Sequence, residues 1–294
     1  MKNITSSFLI VCCLFSFAQN KKCNYIEDYY PHVYKAQIQY LKKNFDSAYV
    51  NLKKAEQNCQ LIFNSILSAP EMLAGIEASR NNNNEAYKYL NFLFENGYSL
   101  DLISENEHLQ VLKQDKNWTQ FVENSKIIRD NWRQNVNVAL RNEYLKIKSE
   151  DQRVRLTNVS KEEFDRVDNY NENRIKTMLK EYGYFNPKLI GNYTIDNKNE
   201  FFTTIVLHLR DIEYFKPIFF SYVKNGEAPP ELYATLIDAA DKTNGIFTYG
   251  IMTGLGNDQL KDIKNLDKRR ISVGLRPWKM ELEFRKLVYG DIQQ

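Results

Sequence analysis

The amino-acid sequence predicts a mainly α-helical protein, with a helical-repeat N-terminal half and a helical C-terminal half that carries a small β-hairpin. Three observations lead there. The 294 residues include only 11 Gly and 7 Pro, so few breakers interrupt the chain. Apolar residues return at three- and four-residue steps in segment after segment. The one short β-like stretch, IFTYGIM, is followed by the turn-rich TGLGND and then QLKDIK. Apolar and charged fractions of 43% and 26% belong to a globular chain. The 40 basic and 37 acidic residues are interleaved and leave a formal charge of +3, which gives no electrostatic case for nucleic acid or an anionic membrane.

At the N-terminus, Lys2 precedes an apolar run over residues 8–17, with small residues at Ser16 and Ala18. The run is far shorter than the roughly 20 helical residues that cross a bilayer. It has the three-part layout of a secretory signal, with cleavage expected between Ala18 and Gln19. Residues 1–18 are thus expected to be a signal peptide, and the mature chain to be periplasmic or secreted. No second long apolar run follows, so no membrane span is expected in the mature chain. Cleavage removes Cys12 and Cys13 and leaves Cys23 and Cys59, a candidate pair in an oxidising compartment. Helices expected over 29–43 and 45–57 would form an antiparallel hairpin with these two cysteines at its open end. Closing a loop of that length contributes about 3–4 kcal/mol in the chain-entropy model. Two unpaired thiols are the alternative.

The hairpin has an echo further along. Ala36, Ala48 and Leu52 are followed, at one constant offset, by Ala74, Ala86 and Leu90. Small residues at Ala36 and Ala48 let two helices approach closely, while Phe45 and Leu52 fill the space beside them, and Ala55 continues the face. On these residues the stretch AQIQYLKKNFDSAYVNLKKAE resembles a tetratricopeptide repeat, with a second copy in LAGIEASRNNNNEAYKYLNFL. The unit is a few residues longer than the family's roughly 34, and Leu93 stands where a small residue is usual. Asp46 is expected to cap the second helix, and the run 81–84 to turn. A short segment after Gly97, with Leu100, Ile103, Leu109 and Leu112, leads into Trp118 and Phe121 and is expected to close the array. The resemblance implies a groove for a protein partner; a docking platform for the second half is the other reading.

Ile128, Trp132, Val136, Leu140, Tyr144 and Ile147 mark one apolar stripe, so 125–156 is read as one long or kinked helix. The boundary between a repeat module (19–130) and a C-terminal domain (131–294) is placed inside it. Ser160 and Glu163 form a capping-box pattern for a helix ending at Gly183. Asp196 is expected to cap the next helix, whose run FFTTIVLHL is apolar on nearly every face and should be central. Pro229 and Pro230 open a helix stopped by Gly245. After the hairpin, a last helix or pair is divided by Gly274 and Pro277.

The motifs of this half are similar, in order, to a bacterial domain family of unknown function marked by DQxxR, GWPxxxxVG, QHAD, DRV, QxYGTQ and RRxxxGL. The matching residues are Asp151, Gln152 and Arg155, then GYFNPKLIG ending at Gly191, then LHLRD with His208 and Asp211. Asp238, then FTYGIM with Tyr249 and Gly250, then Arg269, Arg270, Gly274 and Leu275 complete the series. Ala239, Phe247, Met252 and Leu207 depart from the family's polar places. If those polar groups do chemistry in the family, this chain has lost part of it.

The candidate site residues are therefore His208, Asp211, Asp238, Tyr249, Arg269 and Arg270. His208 and Asp211 are expected to share a helix face with Thr204, either as a general base beside a carboxylate or as a satisfied core pair. Asp238 on its helix needs donors, which Arg269 or Arg270 can supply as a two-pronged clamp. Tyr249 and Gly250 either line a small pocket or shape a bulge. Three His and four Cys leave little material for a metal, and neither a metal nor a cofactor is expected. CxxC, HExxH, GxSxG and GxxxxGK[ST] are all missing. GLGND is read as a turn, and Lys268, Arg269 and Arg270 are too few to argue for nucleic acid. The expected partner is an extracytoplasmic protein or a small polar ligand, in an interaction module; a hydrolase-like enzyme centred on His208 is the alternative.

Overall fold

The computed structural model describes residues 23–63, 67–192, 195, 202–242, 245–252 and 259–290. The expected signal segment with its Ala18–Gln19 junction, the Asp196 cap and the 253–258 turn lie outside the described residues. The described chain is mainly helical, as the periodicity predicts.

A short helix α1 (Tyr25–Asp28) leads into α2 (Tyr30–Leu41), which packs on α3 (Phe45–Asn58). The pattern repeats in α4 (Ala69–Ser79) and α5 (Asn83–Phe94). Ala36, Ala48, Leu52, Ala55, Ala74, Ala86 and Leu90 are all fully buried, because small side chains at the crossings let the paired helices close on one another. Cys23 and Cys59 are bonded, with Cα atoms 5.4 Å apart, and tie the start of α1 to the end of α3. Asn44, rather than the expected Asp46, caps α3 by accepting from Ser47 N. Asp46, with its side chain in water, pairs instead with Arg80. A backbone at φ 60° lets Asn81 make the turn before α5.

Helix α6 (Leu100–Glu105) and a 3₁₀ turn (Gln110–Gln114) lead to α7 (Trp118–Asn135) and α8 (Val138–Leu156). The long element expected over 125–156 is thus two helices. The break falls at Val136 and Asn137, where Val136 is extended and the Asn137 side chain caps α8 by accepting from Leu140 N at 3.0 Å. Ser160 caps α9 (Lys161–Tyr182) as expected, accepting from Glu163 N, and Gly183 ends it at φ 76°. The turn of helix α10 (Pro187–Ile190) follows.

The run FFTTIVLHL makes only a four-residue helix, α11 (Thr203–Val206), before the chain turns. A helix not anticipated from the sequence, α12 (Ile212–Lys224), tolerates an interior proline at Pro217 and buries Phe215, Phe219 and Val223. Helices α13 (Pro230–Asp241), α14 (Leu266–Ser272) and α15 (Trp278–Tyr289) complete the described fold.

The expected β-hairpin is not present among the described residues. A lone parallel bridge joins Phe247 and Leu260, through Phe247 N to Gln259 O and Lys261 N to Phe247 O. The backbone that a ladder would use is taken by side chains: Asp238 accepts from Tyr249 N and Ile251 N, Arg269 donates to Thr248 O, and Arg270 to Tyr249 O.

One apolar core runs from Tyr25 through the repeats to Leu275. Tyr30 Oη donates to Ala228 O at 3.1 Å and Tyr34 Oη to Gly274 O at 2.8 Å, so α2 is fastened to the C-terminal half by backbone acceptors. Gly226, at φ 74°, lies against the Tyr25 ring where a Cβ would collide.

Candidate functional site

The candidate residues fall into two groups. His208 lies between α11 and α12, and its Nδ1 is 2.9–3.0 Å from both oxygens of Asp151 on α8. That carboxylate also receives Gln152 Nε2 at 2.8 Å and Arg155 Nη1 at 2.8 Å. The i, i+4 spacing places Arg155 over Asp151 on one helix, and the Gln152 side chain bends back to the same carboxylate. Arg155 continues to Asp168 on α9, which Arg210 Nη2 reaches at 2.7 Å. The Asp151 side chain is 3% exposed and that of Asp168 5%, so two carboxylates are desolvated among His208 and two guanidinium groups.

The His208 ring keeps a quarter of its surface in contact with solvent, and its Nε2 makes no hydrogen bond among the described residues. An imidazole held at one nitrogen by a buried carboxylate, with the other nitrogen open, is equipped to move a proton. The expected partner, Asp211, is not the one His208 uses. Helix α11 ends at Val206, so His208 and Asp211 share no helix face. Asp211 instead caps α12, accepting from Tyr214 N at 3.2 Å, and pairs with Lys176 at 2.7 Å. Lys176 and the Tyr214 N–H hold its carboxyl below the ordinary carboxylate range.

The second group is a clamp. Asp238 is fully buried on α13 and accepts from Tyr249 N at 2.8 Å and Ile251 N at 2.7 Å. Burial pushes its carboxyl up, and the two N–H bonds oppose that rise. The Asp–Arg clamp expected from the sequence is not formed. Arg270, also fully buried, donates to the carbonyls of Arg276 and Tyr249, faces Glu281 and lies over the Trp278 ring. Arg269 donates to the carbonyls of Thr248, Lys261 and Asp262. Asp238 and Arg270 therefore grip the Tyr249 residue by its N–H and its carbonyl, and Tyr249 packs its buried ring on Tyr233. These contacts shape a loop, and Arg270 Nη2, 3.6 Å from Glu281, is left without a hydrogen-bond partner among the described residues. No hydrogen bond or ion pair joins this clamp to the His208 group among the described residues.

A third place was not anticipated from the sequence: the junction of the two halves. Arg276 Nη2 donates to Gln37 Oε1 at 2.6 Å, its Nη1 to Glu281 at 3.0 Å, and its guanidinium lies between the Tyr34 and Phe284 rings. An open cleft of about 310 Å³ lies at this junction, lined from the N-terminal half by Gln60, Ile62 and Glu95 and from the C-terminal half by Tyr184, Lys188 and Glu227. A smaller cavity of about 30 Å³ sits behind it, with Ile62 and Pro229 common to both walls. Ser68, Glu231 and Arg276 line it, and among the described residues neither Ser68 Oγ nor Arg276 Nε has a hydrogen-bond partner. The sequence signals were a Gln on the buried face of α2 and an Arg beside Pro277, both of which read as surface residues until a partner half is known.

Comparison of the chain with family models, with curated proteins and with solved structures gives no match. No described helix is long and apolar enough to cross a membrane.

Proposed function

We propose that the protein is an exported interaction module that binds a small polar ligand, or a segment of an extracytoplasmic protein, in the cleft between its halves. The observation that carries this reading is the cleft itself, whose 310 Å³ lies in the size range of small-molecule sites and whose walls come from both halves. Export is supported by the signal-like N-terminus and by the Cys23–Cys59 bond, which suits an oxidising compartment. The repeat-like helix pairs support an interaction role, because such pairs commonly serve as docking scaffolds.

The reading is tested with a diazirine-bearing lysine analogue in place of Lys188, which is exposed and lines the cleft. Crosslinks that a Glu227→Trp substitution blocks support it. Crosslinks that Glu227→Trp leaves unchanged contradict it.

A second reading rests on the His208–Asp151 pair: an acid–base enzyme, hydrolase-like, with His208 as the proton-moving group and Asp151 as its positioning residue. It requires that His208→Gln abolish a turnover that survives Glu95→Trp. A turnover insensitive to His208→Gln removes this reading.

A further inference from the structure

The small cavity behind the cleft carries an inference that rests on the binding reading and deepens it. Ser68 occupies the position before α4 where a serine hydroxyl ordinarily caps the helix, yet it makes no capping bond. Ser68 is 2% exposed and its Oγ has no partner among the described residues. Arg276 is 7% exposed and spends both Nη groups on Gln37 and Glu281, but leaves Nε unpartnered. Both residues line the same cavity, together with Glu231. Two buried polar groups without partners in one cavity are destabilising unless something fills it.

The volume of about 30 Å³ admits a head of two or three heavy atoms. The charges around it select the kind of head. A carboxylate would face Glu231, and an ammonium would face Arg276. A neutral group that accepts on one side and donates on the other fits all three: its oxygen takes the Arg276 Nε–H and its hydrogens reach Glu231 and Ser68. We propose that this cavity is the anchor subsite of the cleft and receives a neutral carboxamide or hydroxyl head of the ligand, whose remainder lies over Ile62 and Pro229 in the larger space. Ile62 and Pro229 line both volumes, so the small cavity adjoins the cleft.

The test titrates the full mature chain with acetamide, acetate and methylammonium, followed by backbone amide NMR signals. Acetamide, matching the donor–acceptor pattern, should bind at least about tenfold more tightly than either ion. Ser68→Ala should weaken acetamide about tenfold, and ethylene glycol, the hydroxyl counterpart, should compete with it. Equal binding of the three probes, or acetamide binding untouched by Ser68→Ala, overturns the proposal, as does a cavity that holds ordered water only at saturating acetamide. Should Ser68→Ala fail to fold, the three-probe comparison on the wild-type chain decides alone. Cleft crosslinks without acetamide selectivity would retire the anchor and leave the binding reading standing. Acetamide selectivity without cleft crosslinks would keep the anchor and retire the wider reading.

Discussion

Arg276 donates to Gln37 across the junction at 2.6 Å, linking the helix pair at one end of the chain to the loop before the last helix at the other. Gln37 also donates to Leu67 O at 3.0 Å and Arg276 to Glu281 at 3.0 Å, so the bond joins two residues each anchored within its own half. With Tyr30 and Tyr34 fastened to Ala228 and Gly274, the bond makes the two halves one structure. The N-terminal helix pairs share one apolar core with the C-terminal helices.

One consequence is mutational coupling. Gln37→Leu and Arg276→Met should not add, and a double-mutant cycle in urea should give an interaction of about 1–3 kcal/mol. The wild-type chain should unfold in a single transition seen alike by far-UV and tyrosine signals. Additive effects, or separate transitions for the two halves, would contradict the shared core.

The Glu231 carboxyl gives the junction a pH signature. Burial raises it above its ordinary 4.5, with Arg276 opposing. A raised folded pKa means that its stabilising contribution is complete below the unfolded value and is lost as pH rises through the folded one. Glu231→Gln removes this titration. The variant should therefore gain on the wild type as pH rises above about 4.5 and level off once the folded pKa is passed. Denaturant midpoints measured across that window check the sign, and a constant difference would refute it.

The His208 network makes a rank-order prediction. Asp151→Ala strips the acceptor from His208, Gln152 and Arg155 together and should cost about 3–5 kcal/mol. His208→Gln loses a single bond from a ring that still touches solvent and should cost about 1–2 kcal/mol. Equal costs would mean that His208 is a core residue like its partner.

Removing the Cys23–Cys59 bond by a double serine substitution should cost about 3–4 kcal/mol, the loop-closure entropy of the unfolded chain. The untreated protein should take up no thiol reagent until it is reduced. Labelling of both cysteines without reduction would remove the bond from the account.

The helix pairs, the Ser160 cap and the cysteine bond were legible because each follows from local spacing. Ala36, Ala48 and Leu52 repeat at one offset, and a small residue at a crossing means the same thing wherever the helix leads. Other features needed tertiary information. Helix α12 was not anticipated, and its interior Pro217 is tolerated where Phe215 and Phe219 are buried. The run FFTTIVLHL reads as a central helix, but only four of its described residues are helical. Asp211 was given to His208 because it is near in sequence; the actual partner, Asp151, is distant in sequence and was visible only as part of a motif. The hairpin failed for a related reason, because Asp238 and the two arginines satisfy the backbone that strands would have paired.

The binding cleft is tested most directly by native mass spectrometry of the protein recovered from its own host, as wild type and as Glu95→Trp. Glu95 is exposed at the cleft rim, so an indole there fills the space without disturbing the core. The account predicts a non-covalent adduct on the wild type that is lost or strongly depleted in the variant. A wild type that carries nothing, or an adduct retained equally by Glu95→Trp, would contradict it.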